Sequence, residues 1–296
     1  MKKLVFCLSL CGIILAGCKN DPSIVPDNDD HQIAVIFSAP SVSSSLLKAT
    51  TEEKTISEVI LFGVDAQDNI VPIEHSVLVG QDLDDALVSG TTIRLLKTIT
   101  TLYAIANPSS TFDAGDPSTL TELLALTDDF TDEPNSSSLL MSGKGQIDAG
   151  TKSAQIQLIR AVAKVEIIGL NDFEITSVQV MKTPDTGWVF EQASFSIPTN
   201  TPVNYSEVLF TDPDDDKIFY VAENELPGTE IVITGNFNSK VLNYTLNSLS
   251  LEGVAIDQIV RNTHYKVGIF PLPDGDFAVT ITIPDWDEVD ADDVNI

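Results

Sequence analysis

The chain has 296 residues, with 44 acidic side chains against 16 basic ones, a formal net charge of −28 and 43% hydrophobic residues. This balance excludes a nucleic-acid partner, because a chain without basic patches cannot gain the counterion release that drives phosphate-backbone binding. It also excludes disorder: acidic chains stay unfolded when poor in apolar residues, and here the apolar residues form strand-like runs between turns.

The chain opens with Lys2 and Lys3, an apolar run from Leu4 to Leu15, and Leu15-Ala16-Gly17-Cys18. A basic start followed by so short an apolar run is below the roughly 20 residues of a membrane-spanning helix, and the small residues before the cysteine suit a signal peptidase. Residues 1–17 therefore read as a bacterial lipoprotein signal peptide, and Cys18 as the thiol that receives lipid and holds the protein on a membrane. Removing Lys2 and Lys3 takes the charge from −28 to −30, two positive charges fewer. Cys7 and Cys11 leave with the signal, so the mature chain keeps Cys18 alone and forms no internal disulfide.

Residues 18–48 read as an acylated tether followed by a removable first strand. Lys19 to His31 is polar, with Pro22, Pro26 and four aspartates. Gln32 to Ser38 is β-branched and alternates, with Ile33, Val35 and Phe37 on one face and Ala34 and Ile36 on the other. A Ser-rich stretch then runs to Lys48 and Ala49. A strand isolated between two loose segments suggests an element whose attachment is conditional.

From Thr55 onward short β-rich runs recur at Ile56–Asp65, Ile70–Ile73, Thr98–Ala106, Gln155–Ile168, Ser177–Met181, Ile218–Val221, Ile231–Phe237, Val241–Leu246, His264–Phe270 and Phe277–Ile283. Turn pairs such as Asp68-Asn69, Asn107-Pro108 and Asp274-Gly275 separate them. The spacing predicts an all-β chain of antiparallel β-sandwiches. One short helix is predicted over Pro117–Leu126, with Asp116 as its N-cap and Pro117 at its first position.

At Leu158-Ile159-Arg160-Ala161-Val162-Ala163-Lys164-Val165-Glu166-Ile167 the sequence resembles the fimbrillin family, lipoprotein precursors of donor-strand-exchanged (type V) pili. The same family order continues through Ile60-Leu61-Phe62-Gly63-Val64-Asp65, Leu102-Tyr103-Ala104-Ile105-Ala106-Asn107, Leu140-Met141-Ser142-Gly143, Phe219-Tyr220-Val221-Ala222-Glu223-Asn224, Arg261-Asn262-Thr263-His264-Tyr265 and Asp285-Trp286. The resemblance implies two transthyretin-like β-sandwich domains in tandem, 49–157 and 158–296, the second ending in a donor tail, 287–296. It also implies a trypsin-like protease that cuts after a basic residue behind the first strand. Lys48, followed by Ala49, matches that position, with lysine where the best-known members carry arginine; Lys54 is a second basic candidate, beside Glu52 and Glu53. The vacated groove would then accept the terminal strand of another copy or of a paralogous pilus subunit. Val289, Ala291, Val294 and Ile296 are the apolar positions of this chain's own donor tail.

No catalytic residues, metal or cofactor are expected. Gly-x-Ser-x-Gly is absent, and the three histidines, His31, His75 and His264, have no metal-ligand spacing; His264 reads as a surface or edge residue of a strand. Asp212-Pro213-Asp214-Asp215-Asp216 is dense in acid but lacks the glycine and glutamate that complete a calcium loop, and reads as a solvated turn. Met141-Ser142-Gly143-Lys144-Gly145 lacks phosphate-loop spacing. The leading functional expectation is a structural fimbrial subunit, acylated at Cys18 on the outer membrane, cut after Lys48 and polymerised by strand exchange into a surface fimbrium that supports adhesion. A non-polymerising anchor or minor component, and a surface glycan-binding lipoprotein, are the alternatives.

Overall fold

The computed structural model describes residues 30–38 and 52–283, apart from 89, 149, 151, 213–216, 226–227, 248, 252–253 and 274–275. In chain order the first strands are β1 (Asp30–Ser38), β2 (Glu58–Asp65), β3 (Ile70–Val71), β4 (Val77–Val79), β5 (Thr91–Leu96), β6 (Ile99–Ala106), β7 (Thr127–Asp129), β8 (Met141–Asp148) and β9 (Ser153–Arg160). They are followed by β10 (Val162–Gly169), β11 (Glu174–Met181), β12 (Thr183–Pro184), β13 (Thr186–Trp188), β14 (Pro202–Val203), β15 (Val208–Leu209), β16 (Ile218–Ala222) and β17 (Asn224–Glu225). The last are β18 (Glu230–Phe237), β19 (Lys240–Leu246), β20 (Leu249–Leu251), β21 (Val254–Ile256), β22 (Gln258–Ile259), β23 (His264–Pro271) and β24 (Phe277–Thr282). The helices are α1 (Gly80–Val88) and α2 (Leu120–Leu124), with 3-10 turns at Glu52–Lys54 and Ser136–Ser138.

The fold is all-β, two sandwich units in tandem. The first is built on one eight-stranded sheet, ordered β3-β2-β6-β8-β9-β1-β5, with β4 paired to β2. The second carries two four-stranded sheets, β16-β10-β23-β24 and β15-β11-β18-β19. Most ladders are antiparallel, but β1 runs parallel to β9 and β10 parallel to β23. Period-two burial explains the layering: Ala154, Ile156 and Leu158 of β9 point inward, as do Ile231 and Ile233 of β18. At Gly143 of β8 a side chain would collide with the backbone of Gln157 on β9, so only glycine lets these strands approach.

Each unit has its own buried cluster. The first gathers Leu61, Leu102, Met141, Ile156 and Leu158; the second gathers Val165, Ile167, Val178, Ile233 and Val267. The change of sheet falls at Ala161, between β9 and β10, and the change of core just after it, between Val162 and Ala163, so β9 lies in the first sheet through Arg160. The expected break at 157/158 thus falls inside β9, and the β-rich run Gln155–Ile168 is two strands in different sheets. The first core also takes in Val189, Phe190, Tyr220 and Ala222 from later in the chain, and β13 pairs with β7. The two units are stitched together by these returns.

The helix count requires a correction. Among the described residues two helices form where one is expected, because Gly80–Val88 turns Leu83 and Ala86 inward on one face. The other helix starts later than Asp116: Thr119 is its N-cap, its hydroxyl accepts from the backbone N–H of Glu122, and the Glu122 side chain reaches back to complete a capping box. That reciprocal pair satisfies two backbone donors and outcompetes a cap at Asp116.

Candidate functional site

β1 lies in the first sheet between two strands that come from later in the chain, β5 and β9. Ile33 faces Ile93 and Val35 faces Thr91 of β5, while Val35 faces Ala154 and Phe37 faces Ile156 of β9. Ile33 and Val35 are fully buried and Phe37 is 3% exposed, whereas Ile36, on the other face, is 37% exposed. Fully burying such side chains stabilises by roughly 1.5–3 kcal/mol each. Among the described residues, β5 has no other ladder partner than β1. Helix α1 packs against both β1 and β5, and Gly90, at φ +85°, lets the chain pass close to Val35 and Ile36 as it enters β5.

Without β1 the geometry has one consequence. β9 would present an open edge, β5 would lose its ladder, and the sites of three apolar side chains would stand empty. An unpaired edge beside an apolar groove is a template for an added strand, which gains main-chain hydrogen bonds and fills pockets with alternate side chains.

The chain re-enters at Glu52, and here the structure shows a feature that local sequence signals miss. Glu53 is fully buried. Its carboxylate accepts from Lys164 Nζ at 2.8 Å and from the Tyr220 hydroxyl at 2.6 Å, while its backbone carbonyl accepts from Arg160 Nε and Nη2 at 3.4 Å each. Burial, followed by the hydrogen bond to Glu53 and its charge, pushes the Tyr220 hydroxyl well above the usual tyrosine range and keeps it a neutral donor. Arg160 and Lys164 lie on either side of the change of core, so a residue preceding β2 is clamped at the junction of the two units. No local signal marks Glu53 as buried, since its partners lie more than 100 residues away.

The same clamp constrains Lys54. It sits in a 3-10 turn closed by the Thr55 N–H to the Glu52 carbonyl at 2.9 Å. Asn107 Nδ2 donates to the Thr55 carbonyl at 2.8 Å, Asn107 Oδ1 accepts from the Ser57 N–H at 2.8 Å, and Ile56 is buried.

A second polar cluster ties the units together. Buried Arg261 pairs with Glu223 at 2.6 Å and donates to the carbonyls of Trp188 at 2.8 Å and Val189 at 3.1 Å. Ser142 of β8 donates to the same Val189 carbonyl at 2.7 Å. The motif residues thus fall in two polar clusters, Arg160, Lys164 and Tyr220 around Glu53, and Ser142, Glu223 and Arg261 around the Val189 carbonyl.

His264 is corrected from a surface residue to a buried one. It lies at the start of β23, beyond the last β24 pair, with Nε2 3.0 Å from Glu166 Oε2. That hydrogen bond is the main reason the Glu166 carboxyl is held below the usual carboxylate range. Among the described residues no group of His, Cys, Asp or Glu has the geometry to hold a metal ion. No described helix is long and apolar enough to cross a membrane. A cavity of about 650 Å³ over β6, β8 and β9 is lined by Tyr103, Ser142, Lys144, Gln157, Phe190 and Glu191, where the Ser142 hydroxyl is committed to Val189. Cys18, Lys48, Ala49, residues 213–216 of the acidic turn, and Val289, Ala291, Val294 and Ile296 lie outside the described residues.

No curated protein matches the chain. Solved structures do. A candidate cell adhesion protein of Bacteroides eggerthii is 15% identical with a TM-score of 0.59, covering 87% of this chain and 95% of its own. A fimbrial assembly protein of Parabacteroides distasonis is 14% identical with a TM-score of 0.56, over 86% and 99%. The tip fimbrial protein Mfa3 of Porphyromonas gingivalis, truncated at its C-terminus, is 13% identical with a TM-score of 0.55, over 86% and 100%. At these identities the likeness is one of fold. The model of the fimbrillin-A associated anchor proteins Mfa1 and Mfa2 matches residues 74–292, more than half of the sequence, and the chain belongs to that family.

Proposed function

We propose that this protein is a structural, non-enzymatic subunit of a cell-surface fimbria that supports adhesion. It is exported as a lipoprotein, acylated at Cys18 and held on the outer membrane, then cut after Lys48 by a trypsin-like protease. β1 leaves, a strand from another subunit takes its place, and the tail carrying Val289, Ala291, Val294 and Ile296 is offered to the next subunit. The observation that carries this proposal is β1 itself: the first described strand, inserted between β5 and β9, with Ile33, Val35 and Phe37 buried in the first core.

The clamp at Glu53 supports a cut at Lys48 over Lys54. A protease binds several residues of its substrate in extended form, which a locally unfolded segment supplies. At Lys54 that conformation would require pulling Glu53 from its buried partners and freeing Thr55 and Ser57 from Asn107. Cleavage ahead of Glu52 leaves all of these bonds intact.

A second reading, a cell-bound anchor that keeps β1, is favoured by the matching family's description as anchor proteins. The N-terminus of protein sheared from cells separates the two. Ala49 is the result expected for a polymerising subunit, and lipid-bearing Cys18 is the result expected for the anchor.

A further inference from the structure

The site of β1 selects its occupant by side-chain pattern. Three consecutive inward positions, those of Ile33, Val35 and Phe37, are all buried, and the intervening Ala34 and Ile36 are partly or well exposed. An incoming strand that keeps β1's direction, parallel to β9 and antiparallel to β5, must present three apolar residues at alternate positions. The residues between them are nearly unconstrained.

This chain's own tail cannot meet that demand. It reads Asp287-Glu288-Val289-Asp290-Ala291-Asp292-Asp293-Val294-Asn295-Ile296. One phase offers Val289, Ala291 and then Asp293; the other offers Asp292 and then Val294 and Ile296. Every alternate triplet contains at least one acid. A carboxylate there would lie unpaired among residues that are otherwise apolar, a cost that a strand of three apolar residues does not bear.

We infer that the groove vacated by β1 takes a strand from a subunit of different sequence, with apolar side chains at three alternate positions and room for a phenylalanine at the last, and that it rejects residues 287–296 of a second copy of this chain. This rests on the exchange function proposed above. The donor and acceptor ends of this chain are then matched to different partners. The contact between subunits is heterologous and does not close, so the chain takes a defined place in a mixed fibre and does not extend a fibre of identical copies.

The test uses the chain from residue 18 with Cys18→Ser and a specific protease site placed within residues 39–48. After cutting, the bound first-strand fragment, carrying a fluorescent label, is challenged with three unlabelled peptides. These are residues 30–38, residues 287–296, and residues 287–296 with Asp292→Val, whose phase becomes Val, Val, Ile. The 30–38 and Asp292→Val peptides should displace the label, and the unaltered tail should need at least about 100-fold higher concentration. Displacement by the unaltered tail within about threefold of the 30–38 peptide overturns the selectivity while leaving exchange intact. Failure of all three peptides, including residues 30–38, points instead to a strand that does not exchange on the scale of the assay. The uncut chain then decides: Ile33→Asp with Phe37→Ile should melt well below Ile33→Val with Phe37→Ile, and equal midpoints overturn the inference.

Discussion

The two sandwich units differ in where their central strands come from. In the second, β10 and β23 lie at the heart of one sheet and β11 and β18 at the heart of the other, all from the continuous chain after Ala161. In the first, β1 comes from a segment ahead of the clamp at Glu53, yet it supplies three buried side chains and the only described ladder partner of β5. One unit takes its central strands from a single stretch of chain, and the other depends on a strand that enters from ahead of Glu52, the strand that the proposed cut would remove. Under the proposed processing, the first unit is the one whose stability changes when that strand leaves, while the second keeps all of its central strands. The buried polar contacts of Glu53 and Arg261 join the two, so removing β1 need not part them.

The largest effect should come from deleting the residues through Lys48. Losing Ile33, Val35 and Phe37 removes roughly 5–9 kcal/mol of burial, and the loss should appear as a lower thermal transition for the first unit with that of the second unmoved. Calorimetry showing one unshifted transition would erase the contrast between the units. Next comes Glu53→Ala, expected to cost about 3–5 kcal/mol because Lys164 would remain buried without its carboxylate. Urea unfolding measures this, and the same variant should admit trypsin at Lys54, visible as a new N-terminus at Thr55.

Phe37→Ala and Ile36→Ala locate the effect within one strand. The first should cost about 3–5 kcal/mol and the second less than about 1, since only the first empties a core position. Gly90→Ala should cost about 1–2 kcal/mol, because its φ of +85° is unfavourable for a side chain whose Cβ would lie 2.8 Å from Ile36 Cγ1. The smallest effect concerns the second unit. The Glu166 carboxyl is depressed below its ordinary 4.5, chiefly by His264. Its contribution is therefore complete above 4.5 and is lost as pH falls through the depressed value. Glu166→Gln should remove that increment of acid sensitivity in urea midpoints and leave the first unit's response to β1 unchanged.

Much of the fold can be read from local pattern. The alternation of Ile33, Val35 and Phe37 with Ala34 and Ile36 has a period of two, and backbone geometry converts it directly into an inner and an outer face. α1 escapes this kind of reading because Gly80-Gln81-Asp82-Leu83-Asp84-Asp85-Ala86-Leu87-Val88 buries only Leu83 and Ala86 deeply, and its acids resemble a solvated turn. The break at Ala161 hides in a continuous β-rich run, Gln155–Ile168, because no turn residue stands between β9 and β10 to mark the change of sheet. Glu53 is the furthest from local reach. Nothing in Glu52-Glu53-Lys54 distinguishes a buried carboxylate from an exposed one; the difference is made by Arg160, Lys164 and Tyr220, which folding brings to it from the end of β9, from β10 and from β16.

Hydrogen exchange followed by mass spectrometry, on the chain with and without residues 18–48, tests most directly whether the first unit depends on a removable strand. Loss of β1 should abolish protection across α1 and β5, residues 80–96, and weaken it in β9, while β10, β11, β18 and β23 keep theirs. Unchanged protection across β5 in the shortened chain would contradict the account.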